Sequence, residues 1–449
     1  MANKSYKCSL LSDGLLFASG AGVALLLFFA FYSFFSPSPP PSNYLHRQPL
    51  RQTITNTNTT SSSSSQQHCY FHTSTPPLNT DPAPSFYDDP SLSYTLQEEP
   101  IKNWDEKRHH WLLQHPTLAQ AQRNRIVMIS GSQPGPCRNP VGDHLLLRFY
   151  KNKADYCRIH GIDLFYNTAL LQPDMFSFWA KIPVVRAAMV AHPEAEWIWW
   201  VDSDAAFTDM EFEPPMEKYE GYNLVLHGWP HRVEARSWTS LNAGVFLIRN
   251  CQWSVDFIDR WARMGPQSPE YRRWGRIQKA LFKDKLYAES DDQTGIIYLL
   301  LKEKERWGDK IYLENEYYFE GYWVEIVNKL EKIAKTYMDV ERRVKGLRRR
   351  RAEKVAMAYA RMREEYLEKE GIRGGPHGWR RPFVTHFTGC QPCSGDHNTI
   401  YSGENCWDGM QRALNFADDQ VLRAYGFRHE RLVNSTAVRP LPFDFPADY

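Results

Sequence analysis

The chain has 449 residues, of which 42% are hydrophobic and 14% are aromatic. At about 150 residues per domain, this length allows roughly one to three domains and a large core. The 54 basic and 52 acidic residues leave a formal charge of only +2, which argues against a protein that binds nucleic acid through its bulk charge.

An apolar segment without any charge occupies residues 14–35, "GLLFASGAGVALLLFFAFYSFF". About 20 such residues are enough to span a bilayer as a helix. Lys4 and Lys7 precede the segment, so the positive-inside tendency places the tail, residues 1–13, in the cytosol and the rest of the chain in a lumen. The length of the segment, and the lack of a clear small-residue cleavage site after it, favour an uncleaved anchor over a signal peptide.

Residues 36–99 are rich in proline, serine, threonine and asparagine and include "SPSPPPS" and "SSSSSQQ". Such a composition buries too little apolar surface to offset its ordering entropy, so it predicts a disordered stem. The remaining residues, 100–449, form the predicted folded domain. Glycosylation sequons at Asn58 and Asn434 fit a secretory route.

Eight cysteines are present, and six of them lie in the predicted folded domain. In an oxidising lumen these six thiols favour disulfides, but the sequence leaves their pairing open. The "CQPC" segment at 390–393 would also fit a redox pair or half of a zinc site. The absence of a second CxxC motif in the sequence argues against zinc.

Strand-like and helix-like segments alternate along the folded region. Amphipathic or apolar helices are predicted at 144–161 and 178–193. This alternation predicts an α/β domain with a parallel sheet. The segments predicted as strands are 125–130, 162–167, 196–202, 222–229, 242–250, 309–315 and 383–389.

Asp202 and Asp204 follow directly after the apolar run "EWIWWV" and flank Ser203. In open α/β sheets, ligands bind beyond the carboxyl ends of the strands. Side chains two positions apart in an extended segment point to the same side, and two such carboxylates repel each other unless a cation lies between them. Mg²⁺ and Mn²⁺ prefer oxygen ligands and bridge protein carboxylates to phosphates. The pattern therefore predicts a divalent metal site.

His386, in the apolar stretch "VTHFTGC", is the best candidate for a third ligand. Gly389 follows closely and allows close approach of the backbone. A single histidine is more often structural than ligating, but the pair of aspartates favours the ligand interpretation.

Five motifs together resemble the plant glycosyltransferase family 34, type II Golgi enzymes that attach α-1,6 side sugars to hemicellulose backbones. The resemblance covers about residues 125–427. It implies a GT-A type fold, which is a Rossmann-like nucleotide-sugar domain, with Mn²⁺ as the usual cation and retention of anomeric configuration. The motifs are "WWVDSDAAFTDM", "SWTSLNAGVFLIRNCQWS", "ESDDQTGIIYLLL", "ENEYYFEGYW" and "PFVTHFTGCQPC".

The resemblance also implies roles for individual residues. Asp202, Asp204 and His386 would hold Mn²⁺ on the nucleotide diphosphate, and no covalent nucleophile is implied. Lys181 would lie near the phosphates, with a solvated helix lysine as the alternative. The residues expected to bind the nucleotide sugar are Ser130, Gly131, Ser132, Lys181, Asp202, Ser203, Asp204 and Gly389.

The "DDQ" segment resembles the family's segment beside the reacting sugar, so Asp291, Asp292 and Gln293 are expected at the catalytic centre. Asn242 is a candidate for acceptor binding, because its amide both donates to and accepts from sugar hydroxyls. Trp238 is a second candidate, as an aromatic surface on which a sugar stacks.

Two features bear on which sugar is transferred. Gln391 stands in "CQPC" where the xyloglucan enzymes of the family usually have lysine, and the charged insertion at 332–376 is typical of the galactosyl branch. The resemblance therefore favours transfer of galactose from UDP-galactose to O6 of mannose in mannan or glucomannan. The alternatives are transfer of xylose from UDP-xylose to a β-1,4-glucan, and a non-catalytic scaffold subunit.

The resemblance further implies a single-pass type II protein of the Golgi membrane, with a homo-oligomer or a complex with other polysaccharide-synthesising enzymes as possible assemblies. The insertion is expected to be a solvated, charged helix, and "RRRR" at 348–351 meets no nucleic acid in a lumen. The sequence also argues against a glycoside hydrolase. Such an enzyme requires two carboxylates that face each other across a sugar, and the sequence shows no such pair.

Overall fold

In a computed structural model of the chain, the apolar runs form a mixed six-stranded sheet with helices packed on it. The predicted tail, the anchor at 14–35 and Asn58 lie outside the described residues. None of the helices in the described ranges has the length and apolar composition that a membrane span requires. The structure describes residues 88–90, 92–96, 100–120, 125–138, 140–344, 356–369 and 380–441.

The strands occur close to the positions predicted from the apolar runs. They are β1 (Ile126–Gly131), β2 (Asp163–Asn167), β3 (Trp197–Val201), β4 (Ala205–Phe207), β5 (Leu224–Gly228), β6 (Leu241–Arg249), β7 (Ile311–Glu314), β8 (Val384–His386), β9 (Phe427–His429) and β10 (Val438–Pro440).

In the described residues, two helices precede β1 and the others lie between strands in the chain. They are α1 (Trp104–Gln114), α2 (Pro116–Gln120), α3 (Pro140–His160), α4 (Lys181–Ala191), α5 (Pro230–Glu234), α6 (Gln252–Ala262), α7 (Tyr271–Leu281), α8 (Asp292–Lys302), α9 (Lys304–Trp307), α10 (Trp323–Ile326), α11 (Leu330–Arg343), α12 (Ala356–Lys369) and α13 (Gly403–Leu422).

The main sheet has the strand order β2-β1-β3-β6-β5-β7. β2, β1 and β3 are parallel, and β5 and β7 are parallel, but β6 runs antiparallel to both of its neighbours. The expectation of a parallel sheet is therefore met only in part, because the sheet is mixed. Residues 229–240, which include α5, connect β5 to β6, and the two strands are antiparallel neighbours in the sheet.

The segment predicted as a strand at 383–389 forms only the three residues of β8. β8 does not join the main sheet but pairs with β4 in a separate antiparallel ladder, in which Ala205 faces His386 and Phe207 faces Val384. The ladder thus places His386 next to the residues that directly follow β3.

Two faces of the sheet are buried, which explains the run of tryptophans in β3. Ile198 and Trp200 belong to one apolar cluster, whereas Trp197, Trp199 and Val201 belong to another. Because side chains alternate along a strand, a strand that is buried on both faces must be apolar at every position. The first carboxylates, Asp202 and Asp204, therefore occur just after β3 has left the sheet.

Within the described parts of the insertion, residues 332–343 and 356–369 are helical, as predicted. The expectation of a solvated helix was wrong, because α11 and α12 each bury one face. The apolar spacing of about three to four residues produces such a face. The buried side chains are Leu330, Ile333, Tyr337, Val340 and Glu341 of α11, and Tyr359, Ala360, Arg363 and Leu367 of α12.

Two disulfides settle part of the pairing that the sequence left open. Cys137 is bonded to Cys393 and Cys390 to Cys406, while Cys157 and Cys251 are free. The two cysteines of "CQPC" thus bond to different partners. Neither a redox pair nor a zinc half-site forms from this segment.

Candidate active site

The two aspartates and the histidine predicted as metal ligands meet beyond the carboxyl end of β3. His386 Nε2 lies 3.2 Å from Asp204 Oδ1 and 3.9 Å from Asp202 Oδ2. One ligand atom from each of the three residues lies within 4.8 Å of the others. Such a set of two carboxylates and one imidazole can hold a divalent cation.

The route by which the aspartates converge differs from the one expected. β3 ends at Val201, and residues 203–204 form a turn instead of an extended segment. The backbone N–H of Asp202 donates to the carbonyl of Gly244 at 2.8 Å, and that of Phe387 donates to the carbonyl of Asp204 at 3.1 Å. The turn is thus fixed to β6 on one side and to the end of β8 on the other.

His386 is oriented by a second carboxylate, which the sequence did not single out. Its Nδ1 lies 3.1 Å from Oε1 of Glu320, and both side chains are buried. Burial alone would lower the pKa of His386, but Asp204 and Glu320 raise it to about 10. Without a cation both ring nitrogens therefore carry protons. Nε2 would have to lose its proton to ligate a cation, whereas Nδ1 would keep its proton and donate it to the Glu320 carboxylate.

Lys181, at the start of α4, is buried and joins the candidate metal cluster, which consists of Asp202, Asp204 and His386, to α8. Its Nζ lies 3.1 Å from Asp202 Oδ1 and 2.9 Å from Asp292 Oδ2, and it donates to the carbonyl of Ala243 at 3.0 Å. Burial alone would lower the pKa of Lys181, but Asp202 and Asp292 raise it above its usual range. The alternative of a solvated helix lysine was wrong.

The three residues of the "DDQ" segment are directed to different partners. Asp292 contacts Lys181, and burial raises the pKa of Asp292 to about 6 despite that lysine. Asp291 caps α8: it accepts from the N–H of Thr294 at 2.7 Å and pairs with Lys285 at 2.6 Å. Gln293 Nε2 donates to the carbonyl of Trp238 at 2.9 Å. Asp292 is thus the member of the segment that is linked to the metal cluster.

The nucleotide-binding candidates in "SGS" lie at the end of β1, the strand beside β3. Ser130 is buried, and its Oγ has no hydrogen-bond partner in the part of the chain that the structure describes. A Cβ on Gly131 would lie 2.4 Å from the carbonyl oxygen of Asn167, so only glycine fits there. The N–H of Ser132 donates to the same carbonyl at 3.0 Å.

The other two nucleotide-binding candidates, Ser203 and Gly389, are distinguished by their backbone contacts and conformation. Ser203 accepts at its carbonyl from Nζ of the buried Lys153 at 3.2 Å, and Lys153 also donates to the carbonyl of Ala205 at 2.8 Å. Burial lowers the pKa of Lys153 to about 7. Gly389 has a positive φ of 80°, a conformation that favours glycine. The sequence did not indicate Lys153, which is embedded in the polar pattern of α3.

Gly244 is the closest part of β6 to the cluster and was not recognised as a site residue. A Cβ at this position would lie 2.2 Å from His386 Cε1 and 2.7 Å from Asp202 Oδ2. Asn242, predicted to bind the acceptor, accepts at Oδ1 from the Gly244 N–H at 2.6 Å. The sequence "NAG" in β6 could have indicated this site, because a glycine inside a strand often marks a place where another group lies close to the backbone.

Trp238, the other predicted acceptor residue, lies in an aromatic group next to Gln293. Its ring meets Tyr287 edge to face with centroids 5.4 Å apart, and Nζ of Lys285 lies 3.8 Å from the centroid of Tyr287. Trp238 is half-buried, whereas Tyr287 is 37% exposed. The exposed ring offers a surface on which a sugar can stack.

Comparison with known proteins identifies the family to which the chain belongs. The pattern of the galactosyl transferase GMA12/MNN10 family matches residues 122–397. The chain is 53% identical to galactomannan galactosyltransferase 1 of Cyamopsis tetragonoloba, over 99% of this chain and 98% of that protein. It is 54% identical to glycosyltransferase 6 of Arabidopsis thaliana, over 97% and 96% of the two chains.

Among solved structures, a glycosyltransferase involved in glycosylation of the major capsid of PBCV-1 matches 42% of this chain and 81% of its own, with a TM-score of 0.28 and 14% identity. That likeness is too low to assign the fold. The sequence matches are decisive, since they cover most of the chain. The chain is a glycosyltransferase and belongs to glycosyltransferase family 34, the galactosyl transferase GMA12/MNN10 family.

Proposed function

We propose that this glycosyltransferase transfers galactose from UDP-galactose to O6 of mannose in a mannan or glucomannan backbone, with retention of configuration, in a GT-A type domain. The observation that carries the proposal is the meeting of Asp202, Asp204 and His386 at the carboxyl end of the sheet, in a chain 53% identical to a galactomannan galactosyltransferase. Ligands of α/β sheets bind at this end.

The residues present fit a divalent cation, and we propose Mn²⁺. Asp202, Asp204 and His386 would hold it, and the Gly244 position leaves the space between them open. A bound cation supplies Lewis-acid stabilisation of the negative charge on the departing diphosphate. The imidazole among the ligands favours a transition metal over Ca²⁺ or Mg²⁺, which prefer oxygen ligands throughout.

The chain's own residues would position the donor. The end of β1, with Ser130, Gly131 and Ser132, lies beside the end of β3 and would bind the nucleotide. Lys181 holds Asp202 in place and keeps positive charge beside the diphosphate. Asp292 is buried and paired with Lys181, so it is a poor covalent nucleophile and is better suited to orienting sugar hydroxyls. A front-face substitution without a covalent intermediate accords with this pairing.

A lumenal location in the Golgi is part of the proposal. The disulfides Cys137–Cys393 and Cys390–Cys406 support an oxidising compartment, because such bonds persist in the secretory route. Asn434 is exposed and available for glycosylation, although its Oδ1 accepts from the N–H of Thr436 at 3.0 Å. The proposed anchor at 14–35 would hold the domain at the membrane.

The test is a matrix of donors and acceptors with the full-length chain made in a secretory host. UDP-galactose, UDP-xylose and UDP-glucose are each incubated with mannohexaose or cellohexaose and Mn²⁺, and product masses are measured. We expect a hexose to be added to mannohexaose from UDP-galactose alone. Addition of a pentose to cellohexaose would replace the proposal with xylosyl transfer. An Asp202→Asn variant serves as the inactive control.

A further inference from the structure

The ladder of β4 and β8 determines the spacing of two of the three proposed metal ligands. Asp204 immediately precedes β4, and His386 is the last residue of β8, paired with Ala205. A two-stranded ladder of three residue pairs has little stability of its own. Something outside the ladder must therefore hold its two strands together.

Ion pairs between largely buried side chains join the two strands at the end of the ladder far from the proposed metal ligands. Arg381, just before β8, has its Nη1 2.6 Å from Glu211 Oε2 and 3.6 Å from Asp209 Oδ1, both residues just after β4. The Thr208 hydroxyl adds a hydrogen bond of 2.7 Å to the carbonyl of Pro382. These contacts join the chain leaving β4 to the chain entering β8.

The insertion supplies the central cation and one anion of this network. Arg363 of α12 contacts the same Oε2 of Glu211, and its Nη1 lies 3.6 Å from Glu341 Oε1 of α11. Nη1 of Arg423, after α13, lies 3.5 Å from the other oxygen of Glu341. Arg363 and Glu341 are each 2% exposed.

Tyr337 of α11 fixes the positions of the two arginines. The guanidinium of Arg381 lies 4.1 Å, and that of Arg363 5.1 Å, from the centroid of its ring. The backbone N–H of Arg381 also donates to the Tyr337 hydroxyl at 3.4 Å. Tyr337 is 2% exposed, so both contacts occur away from solvent, where cation–π attraction is strongest.

We propose that Arg363 is a positioning residue for the metal site. Through Glu211 and Arg381 it holds β4 and β8 in the register that brings Asp204 to His386. A shift of either strand would leave buried charges unpaired, which is costly in a medium of low dielectric constant. The insertion would therefore stabilise the geometry of the proposed metal site. The proposal rests on the proposed function in one respect, namely that the cluster binds Mn²⁺.

The test compares three variants of the full-length chain. Arg363→Met removes the charge and keeps the length of the side chain, and Arg363→Lys keeps the charge but lacks the planar fork. Arg361→Met is the matched control, because Arg361 is exposed on the same helix. The readouts are the Mn²⁺ dissociation constant without donor, by calorimetry, and amide hydrogen exchange in residues 205–207 and 384–386. Circular dichroism verifies that each variant is folded.

We expect Arg363→Met to weaken Mn²⁺ binding by about tenfold, as loss of an outer partner of a metal site does, and to accelerate exchange in the ladder. Arg363→Lys should have an intermediate effect, and Arg361→Met should have none. A folded Arg363→Met protein with wild-type exchange and affinity would overturn the proposal. If Arg363→Met does not fold, wild-type affinity and exchange in Arg363→Lys would overturn it instead. Absence of Mn²⁺ binding in the wild type would contradict the proposed function, while hydrogen exchange would still test Arg363.

Discussion

Gly244 allows β6 to lie close to the side chains of His386 and Asp202. An alanine there would place its Cβ 2.2 Å from His386 Cε1 and 2.7 Å from Asp202 Oδ2. Because both neighbours are proposed ligands, we expect Gly244→Ala to weaken Mn²⁺ binding at least about tenfold, as displacement of ligands does. Calorimetric titration measures this effect.

The matched control is Gly221→Ala, since a Cβ at that exposed glycine meets nothing within 4 Å and the backbone has no positive φ. It should bind Mn²⁺ as the wild type does. Equal affinities for the two variants would mean that the cation is held elsewhere.

His386 provides a test that depends on pH. Asp204 and Glu320 raise its pKa from 6.5 to about 10 in the folded protein without a cation. The folded state therefore binds the proton more tightly than the unfolded state does. The resulting stabilisation is fully present below pH 6.5 and is lost as the pH rises to about 10.

A His386→Gln variant should consequently lose a few kcal/mol of unfolding free energy at pH 6, an order-of-magnitude figure. It should lose much less at pH 10. Urea denaturation in EDTA at both values measures the difference, and EDTA ensures that no cation competes with the proton. A loss that is equal at the two pH values would show that the carboxylates do not hold the proton on His386.

At the scale of elements, the apolar runs predicted where strands and helices lie but not how they pair. The strand at 242–250 was expected, yet its apolar run does not indicate that it pairs with β3 and β5 in the antiparallel direction. Likewise, the many charged residues of the insertion led to the prediction of a solvated helix, although α11 and α12 each bury one face. Arg363 appears in the sequence as one more charge in a basic helix, and only its contact with Glu211 shows that it is internal.

The disulfide between Cys137 and Cys393 joins the segment before α3 to the segment after His386. It spans 256 residues, so it restricts the unfolded chain strongly. We expect the double variant Cys137→Ser/Cys393→Ser to lose about 2 to 4 kcal/mol of unfolding free energy in urea. Cys251→Ser, which changes a free and half-buried thiol, is the control. Equal stabilities of the double variant and the control would exclude this disulfide from the folded protein.

At the scale of the whole molecule, the sequence predicted which side chains come together better than it predicted the contacts that hold them there. Asp202, Asp204 and His386 were identified because an apolar run next to an acid or a histidine indicates the end of a strand. Glu320 and Lys153 were not identified, because nothing in the neighbouring sequence indicates that a charged residue in a polar or aromatic stretch is buried. Their positions depend on tertiary contacts between segments that are far apart in the chain.

Binding of the proposed cation would also be coupled to folding. A cation that binds only the folded chain raises the unfolding free energy by about 2.7 kcal/mol at a concentration of 100 times its dissociation constant. We therefore expect the melting temperature of the wild type to rise as Mn²⁺ is added. Asp204→Asn should show a much smaller rise, because it removes a charged ligand that faces His386 at 3.2 Å.

The increments, and not the absolute melting temperatures, are to be compared, since Asp204→Asn also relieves repulsion between two carboxylates. Asp174→Asn is the control, because this aspartate is exposed and lies outside the cluster. It should be stabilised by Mn²⁺ as much as the wild type is. If Asp204→Asn gained as much from Mn²⁺ as Asp174→Asn, the cation would bind without Asp204, and the cluster would have to be replaced as the metal site.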